Sequence, residues 1–122
     1  MEGPGLRELL ANTDAHLAQK AAGGDRWAFG ELVERYQDRV FGMAYNLLND
    51  LEDAKDAGQD AFVAAFRGLH KFRFECAFST WLYRITVNTC KNRLKKSARE
   101  RKAGAVPLNA ESGAENVRDA SA

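Results

Sequence analysis

Residues 25–48, DRWAFGELVERYQDRVFGMAYNLL, decide the fold of this chain. Apolar side chains recur there with the i, i+3, i+4, i+7 spacing of a helix that buries one face. These positions are Phe29, Leu32, Val33, Tyr36, Val40, Met43, Ala44 and Leu47. Asp25 precedes the pattern, and its carboxylate can accept hydrogen bonds from the free N–H groups of a first helical turn. The spacing therefore predicts a long amphipathic helix that begins after Asp25.

Helical patterns also flank this segment. Residues 14–22 predict a short helix that ends at Gly23-Gly24, and Asp50 is a plausible N-cap of a third helix. The predicted buried side of the third helix comprises Leu51, Ala54, Gly58, Ala61, Phe62, Ala65, Phe66 and Leu69. A glycine inside a helix costs about 1 kcal/mol relative to alanine. We therefore expect that another helix packs very close to Gly58, or that this turn is pliable.

A fourth helix is predicted from Ser79, whose hydroxyl can act as the N-cap. At about 100° per residue, its sequence separates into an apolar side and a basic side. The apolar side comprises Leu82, Tyr83, Ile85, Thr86, Val87, Cys90 and Leu94, and the basic side comprises Arg84, Asn88, Lys91 and Lys95, with Trp81 at its edge. Residues 70–77 break the periodicity and predict a loop.

The fold class that follows is all-α, a compact bundle of three to four helices in a single domain. A length of 122 residues with 45% apolar residues supports one modest core, and β-strand patterns are nearly absent. We expect an N-terminal extension over residues 1–13 and the helical domain over 14–103. Residues 104–122 are rich in Gly, Ala, Ser, Asn and Glu and predict a flexible linker or tail.

The net charge of +1 hides a separation of charge along the chain. Acidic residues concentrate over 50–60 and basic residues over 84–102. Because aromatic rings stack on bases, amides read base edges and Lys or Arg contact phosphates, residues 72–96 suit single-stranded nucleic acid. The alternative is that these residues have no binding function. The basic helix end and the acidic stripe would then be solvated helix faces, and the rings would belong to the core.

Enzymatic chemistry is not indicated. His16 and His70 do not stand at metal-ligand spacing with Cys76 or Cys90, and there is no glycine-rich phosphate loop or nucleophile elbow. We therefore expect no catalysis and no cofactor. Two cysteines without a secretory leader predict a reducing, cytoplasmic location, and no apolar run is long enough to predict membrane insertion.

Three blocks of the sequence resemble region 2 of a bacterial sigma factor of the sigma-70 family, in its extracytoplasmic-function (ECF) group. The first is Gly24-Asp25 with Ala28-Phe29 and residues 32–37, and the second is Glu52-Asp53-Ala54 with Asp56 and residues 59–62. The third is Phe72-Arg73, Phe78, residues 80–85, Val87-Asn88 and residues 92–94. The resemblance covers roughly residues 14–102.

The resemblance implies a transcription initiation factor domain with two macromolecular partners. One is core RNA polymerase, whose β′ clamp helices would contact Asp53, Asp56, Gln59 and Asp60. The other is the non-template strand of the promoter −10 element, which the domain would recognise and melt. The implied DNA contacts are Phe72, Arg73, Phe74, Phe78 and Ser79 around a flipped base, Asn88, and Trp81, Arg84, Lys91, Asn92 and Lys95 along the strand.

The sequence departs from the family pattern at two places. Phe74 and the following Glu75-Cys76 stand where relatives often have glycine after the Phe-Arg pair, so promoter specificity stays open. Gly58 replaces a bulky aliphatic residue. We expect the chain to be a fragment of a longer factor rather than a one-domain variant.

The alternative function is a helical protein-interaction module, for example one bound by an anti-sigma factor. A third possibility, a duplex-binding helix-turn-helix regulator, is disfavoured by the long helices.

Overall fold

The computed structural model describes residues 5–103 and contains only helices and their connections in that range. The elements are α1 (Leu6–Ala11), α2 (Asp14–Ala22), α3 (Arg26–Leu48), α4 (Leu51–Gly68), a short 3₁₀ helix (Leu69–Lys71) and α5 (Phe78–Ala103). The predicted all-α class is confirmed. Helix α1 lies inside the predicted N-terminal extension, and the predicted tail over 104–122 lies outside the described residues.

Side-chain caps fix where the central helices begin. The Asp25 carboxylate accepts a hydrogen bond from the Ala28 N–H at 3.0 Å, and the Asp50 carboxylate accepts one from the Asp53 N–H at 2.9 Å. Both predicted caps are thus confirmed. Between α2 and α3 the chain turns at Gly24, whose φ of 105° is open to glycine but strained for other residues.

The predicted cap at Ser79 is wrong. Helix α5 already begins at Phe78, and the Trp81 N–H donates to the Ala77 carbonyl at 3.2 Å, so Ser79 lies within the first turn. Its side chain instead interacts with Tyr36 of α3. A tertiary contact has therefore taken the side chain that a local pattern assigned to capping.

Helix α3 is the centre of the bundle, and α2, α4 and α5 pack around it. Its buried residues are Ala28, Leu32, Tyr36, Val40 and Ala44. All of these except Ala28 belong to the predicted apolar face, and the remaining residues of that face are half-buried: Phe29, Val33, Met43 and Leu47. Helix α4 faces it with the small residues Ala54, Ala57, Gly58, Ala61 and Ala65. These small residues let the helix backbones approach without large side chains between them.

The structure corrects two details of α4. Leu51, predicted to be buried, is 57% exposed because it lies in the first turn, beyond the end of the core. A Cβ atom placed on Gly58 would lie 3.7 Å from Cγ1 of Val40, an ordinary van der Waals distance. Close helix packing therefore does not require glycine at this position.

Polar contacts fasten α2 to α3 at one edge of the core. The Asp14 carboxylate accepts hydrogen bonds from the Tyr36 hydroxyl and from Arg35 Nη1, the latter at 2.9 Å. Burial, reinforced by the hydrogen bond and the charge of Asp14, raises the pKa of Tyr36 to about 12. The phenol is therefore held in its neutral, donating form.

None of the helices within residues 5–103 is both long and apolar enough to cross a membrane.

Candidate nucleic-acid and protein interfaces

Four aromatic rings gather where the loop meets the first turn of α5, and we call them the aromatic end: Phe72 and Phe74 from the loop, and Phe78 and Trp81 from α5. Phe72 stacks on Trp81 with ring centroids 4.8 Å apart and an interplanar angle of 23°, and its centroid lies 4.5 Å from that of Phe74. Phe72 and Trp81 are half-buried, whereas Phe74 is exposed. These three rings are therefore available at the surface.

Phe78 has a different position from the other three rings. It is only 4% exposed, and its centroid lies 5.9 Å from the centroids of both Tyr36 and Trp81. A ring buried to this extent has no free face for a nucleotide base. Phe78 therefore belongs to the core and supports Trp81 and Phe72 from below, as the alternative interpretation of the loop rings predicted for this segment.

Phe74 adopts a left-handed backbone conformation with φ of 60°. This conformation is unfavourable for a residue with a Cβ atom, by about 1–2 kcal/mol. The contact between the rings of Phe74 and Phe72 offsets part of that cost. The loop shape is thus the one that glycine would adopt freely, with a phenyl ring added at its surface.

A small cavity of about 260 Å³ opens beside the stacked rings. It is lined by Lys71, Phe72, Arg73, Glu75, Cys76, Trp81 and Arg84. The lining combines aromatic faces, three cations and one carboxylate, so it can hold a planar ring and place cations near its phosphates. Glu75 adds a hydrogen-bond acceptor that can receive a donor from a base edge.

A second, larger groove continues along α5. It has a volume of about 530 Å³ and is lined by Thr80, Tyr83, Arg84, Val87 and Asn88. Because Arg84 lines both cavities, the loop and the helix form one continuous surface. Further along α5, Asn92 and Lys95 are exposed and Lys91 is half-buried. The structure thus places the predicted strand-contacting residues along one path, with Phe78 beneath it and Ser79 turned toward Tyr36.

The acidic face comprises Asp53, Asp56, Gln59 and Asp60 on α4, all of them exposed. Gln59 lines a groove against α3, which is also lined by Gln37 and Phe41. The three aspartates lie on the other side, toward α5. The predicted residues therefore share one helix surface, but Gln59 and the aspartates occupy different edges of it.

Arg93 of α5 is the residue that the sequence analysis missed. Its guanidinium lies 3.6 Å from Asp53, 4.0 Å from Asp56 and 3.4 Å from Asp60. The sequence held a signal, because about 100° per residue places position 93 on the apolar side of the helix, between Leu82 and Thr86. A charged residue at a position facing the core indicates a charged partner on the neighbouring helix.

The two cysteines are free thiols. Cys90 is buried, and burial raises the pKa of its thiol, whereas Cys76 is half-buried in the loop cavity. Within residues 5–103, no group of His, Cys, Asp and Glu is arranged to hold a metal ion.

Comparisons with known proteins agree with this geometry. The Sigma-70 region 2 family model matches residues 32–100. The RNA polymerase sigma-H factor of Pseudomonas aeruginosa is 42% identical over 86 residues, which are 70% of this chain and 45% of the relative. The ECF RNA polymerase sigma-E factor of Escherichia coli K12 is 44% identical over 87 residues, which are 71% of this chain and 45% of the relative. The chain thus spans a little under half the length of these curated relatives.

Two solved structures are similar in fold and in sequence. An engineered region 2 of sigmaE, determined by NMR in complex with GTAAAA, has a TM-score of 0.68 and 42% identity, covering 72% of this chain and 92% of that one. CnrH in complex with the cytosolic domain of CnrY has a TM-score of 0.61 and 31% identity, covering 79% of this chain and 68% of that one.

Proposed function

The chain belongs to the sigma-70 region 2 family, and on that premise we propose that it acts in transcription initiation by binding core RNA polymerase and the promoter −10 element. The observation that carries the proposal is the continuous surface from the loop cavity to the α5 groove, joined at Arg84. Along this surface lie aromatic rings, then the cation Arg84 and then the amide of Asn88. It matches the chemistry of a single DNA strand, and a 42% identical region 2 was solved with GTAAAA.

The aromatic end captures a base of the non-template strand. Stacking contributes about 1–3 kcal/mol per base, which offsets much of the cost of unpairing a base from the duplex. A base that enters the loop cavity meets the faces of Phe72 and Trp81 and the edge groups of Glu75 and Arg73. Binding is therefore stronger to the separated strand than to the duplex, and this difference favours melting without any catalytic group.

Helix α5 guides the rest of the strand. The Asn88 amide both donates and accepts hydrogen bonds, so it can read a base edge, while Arg84, Lys91 and Lys95 neutralise phosphates. Asn92 extends the same path. Because cations on this path face solvent, we expect strand binding to weaken steeply as salt rises.

The acidic face of α4 binds the β′ clamp helices of the polymerase. Exposed carboxylates give a basic coiled coil its orientation and a fast association rate, and they add less to raw affinity. Gln59 supplies a neutral donor and acceptor at the opposite edge of the same face. The face and the α5 path lie on different helices, so one domain can hold both partners at once. We place this function in residues 14–103 and in the cytoplasm, where the polymerase is.

Two variants test the proposal by separating the partners. Asn88→Ala should reduce promoter opening, measured by permanganate reactivity of the −10 thymines, while binding to core polymerase is unchanged. The double variant Asp56→Lys, Asp60→Lys should lose polymerase binding in a pull-down and keep its affinity for a −10 single strand. Circular dichroism confirms that both variants are folded. Equal loss of both activities in both variants, with the fold intact, would refute the assignment of separate faces.

A second candidate is a helical interaction module with no nucleic-acid readout of its own. The observation in its favour is that CnrH was solved in complex with the cytosolic domain of CnrY. In this function, an anti-sigma factor would cover the same faces. Binding of a −10 single strand distinguishes the two candidates: selective binding over a scrambled strand supports the initiation function, and no selectivity supports the interaction module.

A further inference from the structure

Arg93 places a positive charge among the carboxylates of the acidic face. Its Nη1 lies 3.6 Å from Oδ1 of Asp53, and its Nη2 lies 4.0 Å from Oδ2 of Asp56 and 3.4 Å from Oδ2 of Asp60. The three carboxylate side chains are between 55% and 63% exposed, whereas that of Arg93 is 31% exposed. The three carboxylates are thus paired with Arg93 on the side that faces α5, and their opposite side is open to solvent.

The conformation of Arg93 is held by these contacts at some cost. Its Nε lies buried without a hydrogen-bond partner among the described residues. An unpaired buried donor is unfavourable, because it has lost its hydrogen bonds to water. The two terminal nitrogens of the guanidinium are therefore paired, while its Nε is not. A second cation that approaches the carboxylates would have to displace only exposed, solvent-screened ion pairs.

We propose that Arg93 is an internal competitor for the acidic face, so that a cationic partner binds the aspartates against the charge of Arg93. This inference rests on the proposed function, in which that partner is the polymerase. Each carboxylate has several lone-pair sites and could accept from two cations. The two cations repel each other, however, and the repulsion lowers affinity even where both are accommodated.

The proposal predicts a specific direction of change. Removing the charge of Arg93 leaves three aspartates without their internal cation and should strengthen binding of a basic helix. Exposed ion pairs imply a gain of about two- to fivefold in affinity at low salt. Because these charges are exposed, the gain should shrink as salt rises.

The test compares Arg93→Gln with Arg99→Gln. Arg99 lies on the same helix and is exposed, and within residues 5–103 the ion pairs of the acidic face are with Arg93 and not with Arg99. Its substitution therefore gives the same change in net charge at a position away from that face. Affinities are measured for two probes: purified core RNA polymerase and a lysine-rich amphipathic helical peptide, each at low and moderate salt. A third chain combines Arg93→Gln with Asp56→Asn and Asp60→Asn.

We expect Arg93→Gln to bind both probes more tightly than Arg99→Gln, and the added aspartate substitutions to remove the gain. If the peptide shows the gain and the polymerase binds no variant, this inference stands and the proposed function fails. Equal or weaker binding of both probes to Arg93→Gln than to Arg99→Gln overturns the inference. Should Arg93→Gln unfold, Arg93→Lys replaces it: lysine cannot span three carboxylates, so a smaller gain is expected, and no gain overturns the inference.

Discussion

At the aromatic end, the rings of Phe72 and Trp81 stack on each other above the buried Phe78, whereas the carboxylates of the acidic face project from α4 into solvent. The first surface is continuous with the core. The second is carried by one helix and, among residues 5–103, forms ion pairs with Arg93 alone. A surface for stacking therefore depends on how several segments pack, while a surface for electrostatic docking can be carried by one helix. Mutations at the two surfaces should therefore differ in their effect on stability.

The largest effect is expected for Phe78→Ala. Truncating a buried phenylalanine typically costs about 3–5 kcal/mol, since apolar burial is lost and a cavity remains. Urea denaturation followed by circular dichroism gives the change in the free energy of unfolding. A loss below about 1 kcal/mol would show that the aromatic end is not part of the core.

A pH titration tests the burial of Tyr36, the α3 residue against which Phe78 packs. The pKa of Tyr36 is raised from 10.0 to about 12 in the folded chain, so the native state holds the proton more tightly than the unfolded state. The resulting stabilisation is complete below pH 10 and is lost as pH rises through 12.

Unfolding free energies between pH 9 and 12, compared with those of Tyr36→Phe, isolate this contribution. Over that range the wild-type chain should lose up to about 2 kcal/mol more than the variant, which has no phenol to ionise. Parallel curves for the two proteins would contradict the raised pKa.

The left-handed backbone at Phe74 can be tested with a pair of variants. Phe74→Ala loses the ring and keeps the strain, whereas Phe74→Gly loses the ring and relieves the strain. We expect the glycine variant to be more stable than the alanine variant by about 1 kcal/mol. Thermal denaturation of both proteins measures the difference, and a more stable alanine variant would mean that the loop does not hold this conformation.

Gly58→Ala changes the buried side of α4, the helix that carries the acidic face. The added Cβ would lie at an ordinary distance from Val40, so the substitution should stabilise α4 by about 0.5–1 kcal/mol through helix propensity. Polymerase binding should not change, because the position is buried. A lower melting temperature would show that the contact with α3 is too tight for a methyl group.

The smallest effect on stability is expected for Asp56→Asn with Asp60→Asn. Exposed ion pairs contribute little, so the free energy of unfolding should change by less than about 1 kcal/mol. Polymerase binding should nevertheless fall clearly, in a pull-down at moderate salt. A large loss of stability would mean that Arg93 and its carboxylates hold α5 to α4, and would remove the contrast between the two surfaces.

Much of the fold could be predicted because its signals are local. The periodicity around Leu32 and Tyr36, and the caps at Asp25 and Asp50, concern residues within a few positions of each other. One exception was Ser79, where the helix begins one residue earlier and the side chain interacts with Tyr36 of another helix. The prediction that Leu51 is buried was wrong for a similar reason, because a periodic pattern does not show where along a helix the core ends.

The candidate surfaces were predictable in their residue types and less so in their arrangement. The sequence grouped Phe72, Phe74 and Phe78 in one loop, but only packing decides which ring lies beneath the others. The acidic stripe was visible on α4, while its cation comes from Arg93, 33 residues beyond Asp60. No local pattern connects residues so far apart.

The amino-acid pattern alone was enough to give the helical class, the order of the long helices, the residues at which α3 and α4 begin, and the opposite charges of α4 and α5. It did so because hydrophobic period, caps and charge are properties of neighbouring residues. Three features depend on the packed fold: Phe78 belongs to the core, Arg84 joins two cavities into one path, and Arg93 lies against the aspartates. These depend on how α4 and α5 pack against each other and against α3, and packing is set by the shapes of all the side chains together.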